Sequence, residues 1–211
     1  MSFDAIQTST LYGQYGKRVF DVVVALVLML VAIPILVVTI IILLLTSGRP
    51  IFFKQVRTGC HNQPFTIWKL RTMGLHNVQC DYPVMGTDGI PEDYVFKTGE
   101  DCRITKVGTV LRRLSIDELP QLLNVLKGDM SIVGPRPEIP IITNAYNEEQ
   151  ARRLEVKPGL TGLAQINGRS NISHGQKIAY DLDYIEQYSL WLDLKVVLKT
   201  CFVVFARTGA Y

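Results

Sequence analysis

The sequence predicts an α/β fold that is predominantly helical with little sheet, held to a membrane by one apolar segment near its start. Three observations carry this. Between Val22 and Leu45 only Thr39 and Pro34 depart from Ala, Val, Leu, Ile or Met. Only two pieces, PIFFKQV and FTIWKLRTM, are β-rich, and most of the remaining chain shows helical spacing. At 211 residues the chain suits one catalytic domain plus a membrane element. The expected division is an N-terminal segment over 1–18, a membrane helix kinked at Pro34 over 19–47, and a cytoplasmic, membrane-associated domain over 48–211.

As one straight helix the apolar run would extend ~36 Å, enough to cross a hydrocarbon core of ~30 Å. It is too long for a signal peptide, and no small-x-small cleavage site follows it. Pro34, near the midpoint, removes a backbone donor and crowds the Leu30 carbonyl, which predicts a kink. Two geometries compete. A simple span would place Lys17 and Arg18 outside the cell, whereas a re-entrant hairpin keeps both basic flanks inside, each arm reaching ~18 Å. Basic residues on both flanks favour the hairpin. From Thr46 to Met73 five basic residues (Arg49, Lys54, Arg57, Lys69, Arg71) meet no acidic one, which suits the anionic lipid of a cytoplasmic face.

After the membrane, the two β-rich pieces flank a turn at Gly59–Pro64. Residues 77–101, with Gly86, Gly89, Gly99 and mostly acidic charge, read as a surface loop where specificity varies. A helix is expected over Ile104–Leu114, and another from Pro120 to Lys127, with Gly128 just past its end. Residues 144–155 read as an exposed helix, and the glycine-punctuated 158–169 as a loop or hairpin. The tail from Tyr180 to Arg207 is helical and ends apolar, fit for a core or for a membrane interface with Trp191, Phe202 and Phe205 immersed.

The net charge of +3 is too small to indicate nucleic-acid binding. Cys60, Cys80, Cys102 and Cys201 form no CxxC pair and share no zinc spacing with the three histidines, so free thiols in a reducing cytoplasm are expected. The sequon Asn171-Ile172-Ser173 then carries no glycan.

Chemistry concentrates at Asp117-Glu118. Adjacent carboxylates with cations nearby can attack a phosphate with one oxygen and hold a metal ion with another. The plainer account is a capping box, Ser115 with Glu118, but Pro120 would then clash with Ile116. With a helix starting at Pro120, the dyad hangs ahead of its N-terminus, where the dipole keeps Asp117 ionised. In Gly134-Pro135-Arg136-Pro137 two prolines restrict one arginine, pre-setting a guanidinium fork for phosphate. Arg112, five residues before Asp117, can face the same site, and Asp181 is a second carboxylate candidate. No Walker loop, dinucleotide fingerprint or zinc motif supports nucleotide hydrolysis or redox chemistry.

These residues resemble the bacterial sugar transferases, the monotopic phosphoglycosyl transferases that start glycan assembly on a polyprenyl-phosphate carrier. The resemblance covers roughly residues 16–208, through KRVFDVVVAL with Pro34, WKLRTM, RITKVGTVLRRLSIDELPQLLNVLKGDMSIVGPRP, PGLTGLAQINGR and YDLDYIEQYSLWLDLKVVLKT. It implies that Asp117 attacks the sugar-linked phosphate of a UDP-sugar, that UMP leaves, and that undecaprenyl phosphate then takes the phosphosugar from the aspartate. It implies Mg2+ on Glu118, phosphate contacts by Arg112 and Arg136, and weaker candidates in Lys69, Arg71, Gln165 and Arg169. Asp181 matches a family acid near the site, its role open.

The resemblance further implies a re-entrant membrane helix broken at Pro34, with interfacial amphipathic helices around a small catalytic domain on the cytoplasmic face of the bacterial inner membrane. Expected partners are the donor, the lipid carrier, the bilayer and downstream glycosyltransferases, in a pathway such as exopolysaccharide biosynthesis; monomer and homodimer stay open. Two rivals remain: a membrane-anchored hydrolase using the same dyad with water, and a non-catalytic scaffold.

Overall fold

In an apolar setting a chain can satisfy its backbone polar groups by coiling into a helix. Lys17–Thr46 forms such a helix, α1, entered through a π-helical turn at Tyr12–Gly16. The computed structural model describes residues 11–74, 89–95, 103–168 and 171–205, and is mostly helical with a small sheet content. Pro34 lies inside α1 without ending it. Thr39 satisfies its hydroxyl by donating to the Ile35 carbonyl at 2.7 Å.

The buried residues of α1 are Lys17, Asp21, Ala25, Ala32, Thr39 and Leu43. Their spacing of four or seven places them on one stripe. The other faces show apolar side chains outward, among them Leu30, Val31 and Leu45. By length and composition this is the one helix among the described residues able to cross a membrane.

Both ends of α1 are tied to the rest of the chain. At its start, Arg18 forks onto the carbonyls of Val125 and Leu126, at 2.6 and 2.7 Å. Lys17 donates to Asp193 Oδ2 at 2.6 Å and to the Val133 carbonyl at 3.1 Å. Asp21 Oδ1 accepts from Ser131 Oγ and from the Ile132 amide, at 2.9 and 3.0 Å. Tyr12 and Tyr184 complete the cluster through their hydroxyls, both donating to Asp193. In its last turn Leu43 packs with Leu70 and Leu111, and just past the helix Arg71 donates to the carbonyls of Ser47, Gly48 and Arg49.

The two β-rich pieces are strands, β1 (Phe52–Thr58) and β2 (Pro64–Leu70), paired antiparallel with Phe52 opposite Leu70 and Thr58 opposite Pro64. Helix α2 (Lys106–Arg113) starts at Thr105, whose side chain accepts from the Gly108 amide. A Cβ on Gly108 would fall 2.1 Å from the Thr72 carbonyl oxygen, so only glycine lets α2 lie this close to the strand end.

Next come a 3-10 turn, Ile116–Gln121, and α3 (Leu122–Lys127), closed by Gly128 at φ 95°. The regular helix thus begins two residues later than Pro120 suggests, because Pro120 lies within the tighter turn.

Strand β3 (Ser131–Val133) pairs in parallel with β4 (Gly159–Thr161), Ser131 opposite Gly159 and Val133 opposite Thr161. Residues 158–169 therefore supply a parallel strand and a short α6 (Leu163–Ile166), not a hairpin. Gly159 permits this approach, since a Cβ there would meet the Gly134 amide nitrogen at 2.1 Å.

Between them lie α4 (Pro140–Thr143), α5 (Glu148–Ala151) and a 3-10 turn at Arg152–Glu155. The exposed helix expected over 144–155 is corrected: Gln150 and Arg153 are buried, Gln150 through reciprocal bonds with the Ile90 backbone. Ile90 also packs with Ile139, Ile142 and Ala145, so this piece of the 77–101 segment is part of the core. The rest of that segment, apart from residues 89–95, lies outside the described residues.

The tail is two helices, α7 (His174–Glu186), boxed by Ser173 and Gln176, and α8 (Leu190–Phe205). Trp191, Leu194, Leu198 and Phe202 form an exposed row on α8 at spacings of three and four, while Asp193 and Val196 face inward at 0% exposure. The main core gathers Ile67, Leu122, Val125, Met130, Ile132, Tyr184 and Val196 against Ala25 and Ala32 of α1. Cys60 and Cys201 form no disulfide, Cys60 Sγ donating to the Glu155 carbonyl at 3.3 Å, while Cys80 and Cys102 lie outside the described residues.

Candidate active site

The residue pair at the centre is held by a turn that the local sequence cannot make helical. Ser115 takes a left-handed conformation, φ 55°, and its side chain makes no cap bond, so the Ser115–Glu118 capping box does not form. Freed from that role, the Glu118 carboxylate turns to two cations. Lys69 Nζ of β2 and Arg136 Nη2 each donate to Glu118 Oε1 at 2.6 Å. Oε2 receives only a longer contact, 3.4 Å from Arg136 Nη1.

Asp117 is 7% exposed, and no hydrogen bond or ion pair reaches its carboxylate among the described residues. Burial raises its carboxyl above the ordinary value and the Glu118 charge adds to this; Lys69, Arg112 and Arg136 pull the other way. Burial alone would also raise Glu118, yet Arg136 and Lys69 together hold it well below the usual carboxylate range. The two adjacent acids are thereby pushed apart. Glu118 is fixed as an anion and Asp117 is the more basic oxygen, the division a charge ligand and a nucleophile require. Burial lowers the Lys69 ammonium, with Glu118 opposing.

Arg112 Nε donates to Thr72 Oγ1 at 2.8 Å, and its charge acts on Asp117, so α2 brings it to the same site. Arg136, 47% exposed in its side chain, reaches Glu118 from the turn after β3. Lys69, Arg112, Asp117, Glu118 and Arg136 thus converge as the sequence expects. Three other candidates are placed differently. The Arg71 guanidinium is spent on the carbonyls following α1. Asp181, 1% exposed, lies beneath the turn carrying Arg136 and pairs with Arg153 at 2.7 Å. Gln165 has both amide atoms buried without a hydrogen-bond partner among the described residues, next to Gly162 and near the Gly134 carbonyl. Arg169 lies outside the described residues.

Sequence reasoning missed Arg153. It reaches the Arg136 carbonyl at 2.9 Å and Tyr146 Oη at 2.6 Å. In sequence it sits in NEEQARRLE, an ordinary exposed pattern that carries no signal of burial.

Among the described residues no three His, Cys, Asp or Glu side chains gather to hold a metal alone. Glu118 Oε2, which takes only the 3.4 Å contact from Arg136 among the described residues, and the Asp117 carboxylate nevertheless suit Mg2+, which binds through one or two carboxylates and takes its remaining ligands from phosphates and water. The donor set fits such an ion.

The bacterial sugar transferase family profile matches residues 12–207. The chain is 46% identical over 193 residues to an uncharacterized sugar transferase, EpsL, of Bacillus subtilis, covering 92% of this chain and 89% of that protein. It is 43% identical over 203 residues to a UDP-glucose:undecaprenyl-phosphate glucose-1-phosphate transferase of Caulobacter vibrioides, covering 92% and 72%. An undecaprenyl-phosphate galactose phosphotransferase of Salmonella typhimurium is 36% identical over 202 residues, covering 94% and 42%.

Proposed function

Because the chain belongs to the bacterial sugar transferase family, and is a sugar-phosphate transferase, we propose that it moves a sugar 1-phosphate from a UDP-sugar to undecaprenyl phosphate. The step would open exopolysaccharide assembly. One observation supports this most: an unpaired buried carboxylate, Asp117, beside a carboxylate already neutralised by Lys69 and Arg136.

In the first half-reaction an Asp117 oxygen attacks the sugar-linked phosphorus. The bond from that phosphorus to the bridging oxygen breaks, and UMP leaves with the electron pair. In the second, a phosphate oxygen of the lipid carrier attacks the same phosphorus and the aspartate carboxylate departs. Each half forms and breaks one phosphorus–oxygen bond, so no oxidant or reductant is needed. Arg112, Arg136 and Lys69 offset charge as it builds on the phosphate oxygens, where positioning and electrostatics dominate. Glu118 would hold Mg2+ together with the donor diphosphate, and the ion would supply further neutralisation there.

The same reading makes α1 a re-entrant anchor over 19–47, with the domain of residues 48–211 on the cytoplasmic face. Thirty residues of helix extend ~45 Å if straight. A spanning helix would separate its ends by a hydrocarbon layer of ~30 Å. Yet Arg18 near the start of α1 and Ser47 just past its end both bond the same domain. Lipid on the outer faces of α1, and on the Trp191–Phe202 row of α8, would hold the dyad at headgroup depth, where both substrates arrive. A cysteine placed at Gln7 should resist an impermeant thiol reagent applied to intact cells; labelling from outside would overturn the re-entrant geometry.

The reaction is tested with detergent-solubilised protein, Mg2+, undecaprenyl phosphate and a panel of UDP-sugars, measuring UMP. Release should depend on the carrier after the first turnover and stop on chelation. Steady release without carrier would instead identify a hydrolase.

A further inference from the structure

Pro135 and Pro137 have no amide donor, so the turn that carries Arg136 cannot be pinned by an ordinary strand ladder. Its backbone is fixed at the Gly134 end, where the Gly134 amide donates to Thr161 and the Gly159 amide to Pro135. At the far end the Thr58 amide donates to the Glu138 carbonyl at 2.9 Å, and between these points two side chains hold the backbone. Arg57 Nη1 donates to the Pro137 carbonyl at 3.1 Å, and Arg153 Nη2 donates to the Arg136 carbonyl at 2.9 Å.

We propose that Arg153 is the positioning residue of the reactive centre: its buried guanidinium, seated on Asp181 and Tyr146, fixes the turn that delivers the Arg136 side chain to Glu118. This rests on the transferase reading above.

A guanidinium 3% exposed is costly unless it is neutralised and its donors are used. Asp181 Oδ2 lies 2.7 Å from Arg153 Nη2, Tyr146 Oη accepts from Nη1 at 2.6 Å, and Glu138 Oε1 stands at 4.0 Å. Burial raises Asp181 to about 6, with Arg153 opposing, which leaves it ionised at neutral pH. Asp181 therefore has a task that needs no contact with substrate: it makes Arg153 tolerable where Arg153 must be. The line from α7 through Arg153 to Arg136 ends on Glu118, and a shift of about 1 Å at such a point costs on the order of 100-fold in rate.

The test uses the full chain in detergent, with two readouts. Arg153→Lys keeps the charge facing Asp181, but a single ammonium cannot reproduce the planar fork that serves Tyr146, Asp181 and the Arg136 carbonyl together. It should lower kcat/KM for the donor about 10- to 100-fold, mostly in kcat, with no more than a small change in Tm. In an Arg136→Ala background the same change should cost less than about threefold, because the group it positions is gone. Tyr146→Phe, which removes one bond to Arg153 and no charge, should produce a smaller loss with the same dependence on Arg136, and carries the cycle if Arg153→Lys fails to fold. Exchange of the hydrogen-bonded amides that hold the turn, Thr58, Gly134 and Gly159, should quicken in both variants, independently of any chemistry.

Equal losses with and without Arg136, or unchanged exchange in that turn, would overturn the proposal. A wild-type protein that turns over no donor, while exchange still quickens in the variants, would sink the transferase reading and leave the positioning role standing.

Discussion

Asp117→Asn is expected to lower donor turnover by about 10⁴-fold or more, the scale on which enzymes lose rate when a covalent nucleophile is removed. The replacement is nearly isosteric, and no bond of Asp117 is broken, since none reaches its carboxylate among the described residues. Losing a buried charge that burial already disfavours should leave the fold as stable as before, or slightly more so. The variant thus separates chemistry from folding. Intact-mass measurement of wild type, given UDP-sugar and Mg2+ without carrier, should show a phosphosugar adduct, and the variant should show none at an unchanged Tm. A variant that forms product at the wild-type rate would remove the covalent mechanism, and a bound-water or direct-transfer route would replace it.

Lys17→Met should be the most damaging single change away from the dyad. Lys17 is the cation that the described residues place against both Asp21, at 3.4 Å, and Asp193, at 2.6 Å. Those carboxylates have side chains 3% and 0% exposed. Removing one partner of a buried pair leaves uncompensated charge at a cost of about 3–5 kcal/mol. A domain's whole stability is about 5–15 kcal/mol, so the loss should appear as a fall in Tm of about 6–20 °C. Lys54→Met is the control, because Lys54 is exposed and meets only the Trp68 ring, 4.0 Å from its centroid. If Lys17→Met melts within 2–3 °C of the control, on the order of 1 kcal/mol, the cluster at the start of α1 is not what secures that helix.

Much of the site could be read from the chain because its signals are local. Asp117, Glu118 and Arg136 lie within one stretch of 20 residues, and the prolines around Arg136 announce a fixed turn. Thr105 before α2 and Gly128 after α3 mark boundaries by their own side-chain and backbone chemistry. What escaped were partnerships across the fold. Lys17 and Arg18 read as flanking charges for a membrane segment, and Arg71 as a phosphate ligand, yet all three donate to backbone carbonyls. Lys17 and Asp193 are 176 positions apart, and no periodicity encodes such a pair. A usable hint existed nonetheless: Lys17 and Asp21 sit four apart at the mouth of an apolar helix, where unpaired charge is expensive.

Arg153, and its pairing with the Asp181 already singled out as a candidate, escaped for a related reason. Each lies in a polar run that would be unremarkable on a surface, and only the parallel pairing of β3 with β4 folds those runs beneath the Arg136 turn. The glycines that permit that pairing were visible, but their partners were not.

The stripe along α1 has a practical meaning for anyone wanting this enzyme in water. Ala25 and Ala32 share a core with Ile67, Leu122 and Tyr184, and Leu43 shares another with Leu70 and Leu111. Deleting the greasy segment would not free a self-sufficient soluble body; it would tear away one side of the interior. A water-soluble version has to keep residues 17–46 and recolour only outward positions such as Val27, Leu30 and Val31 with polar side chains.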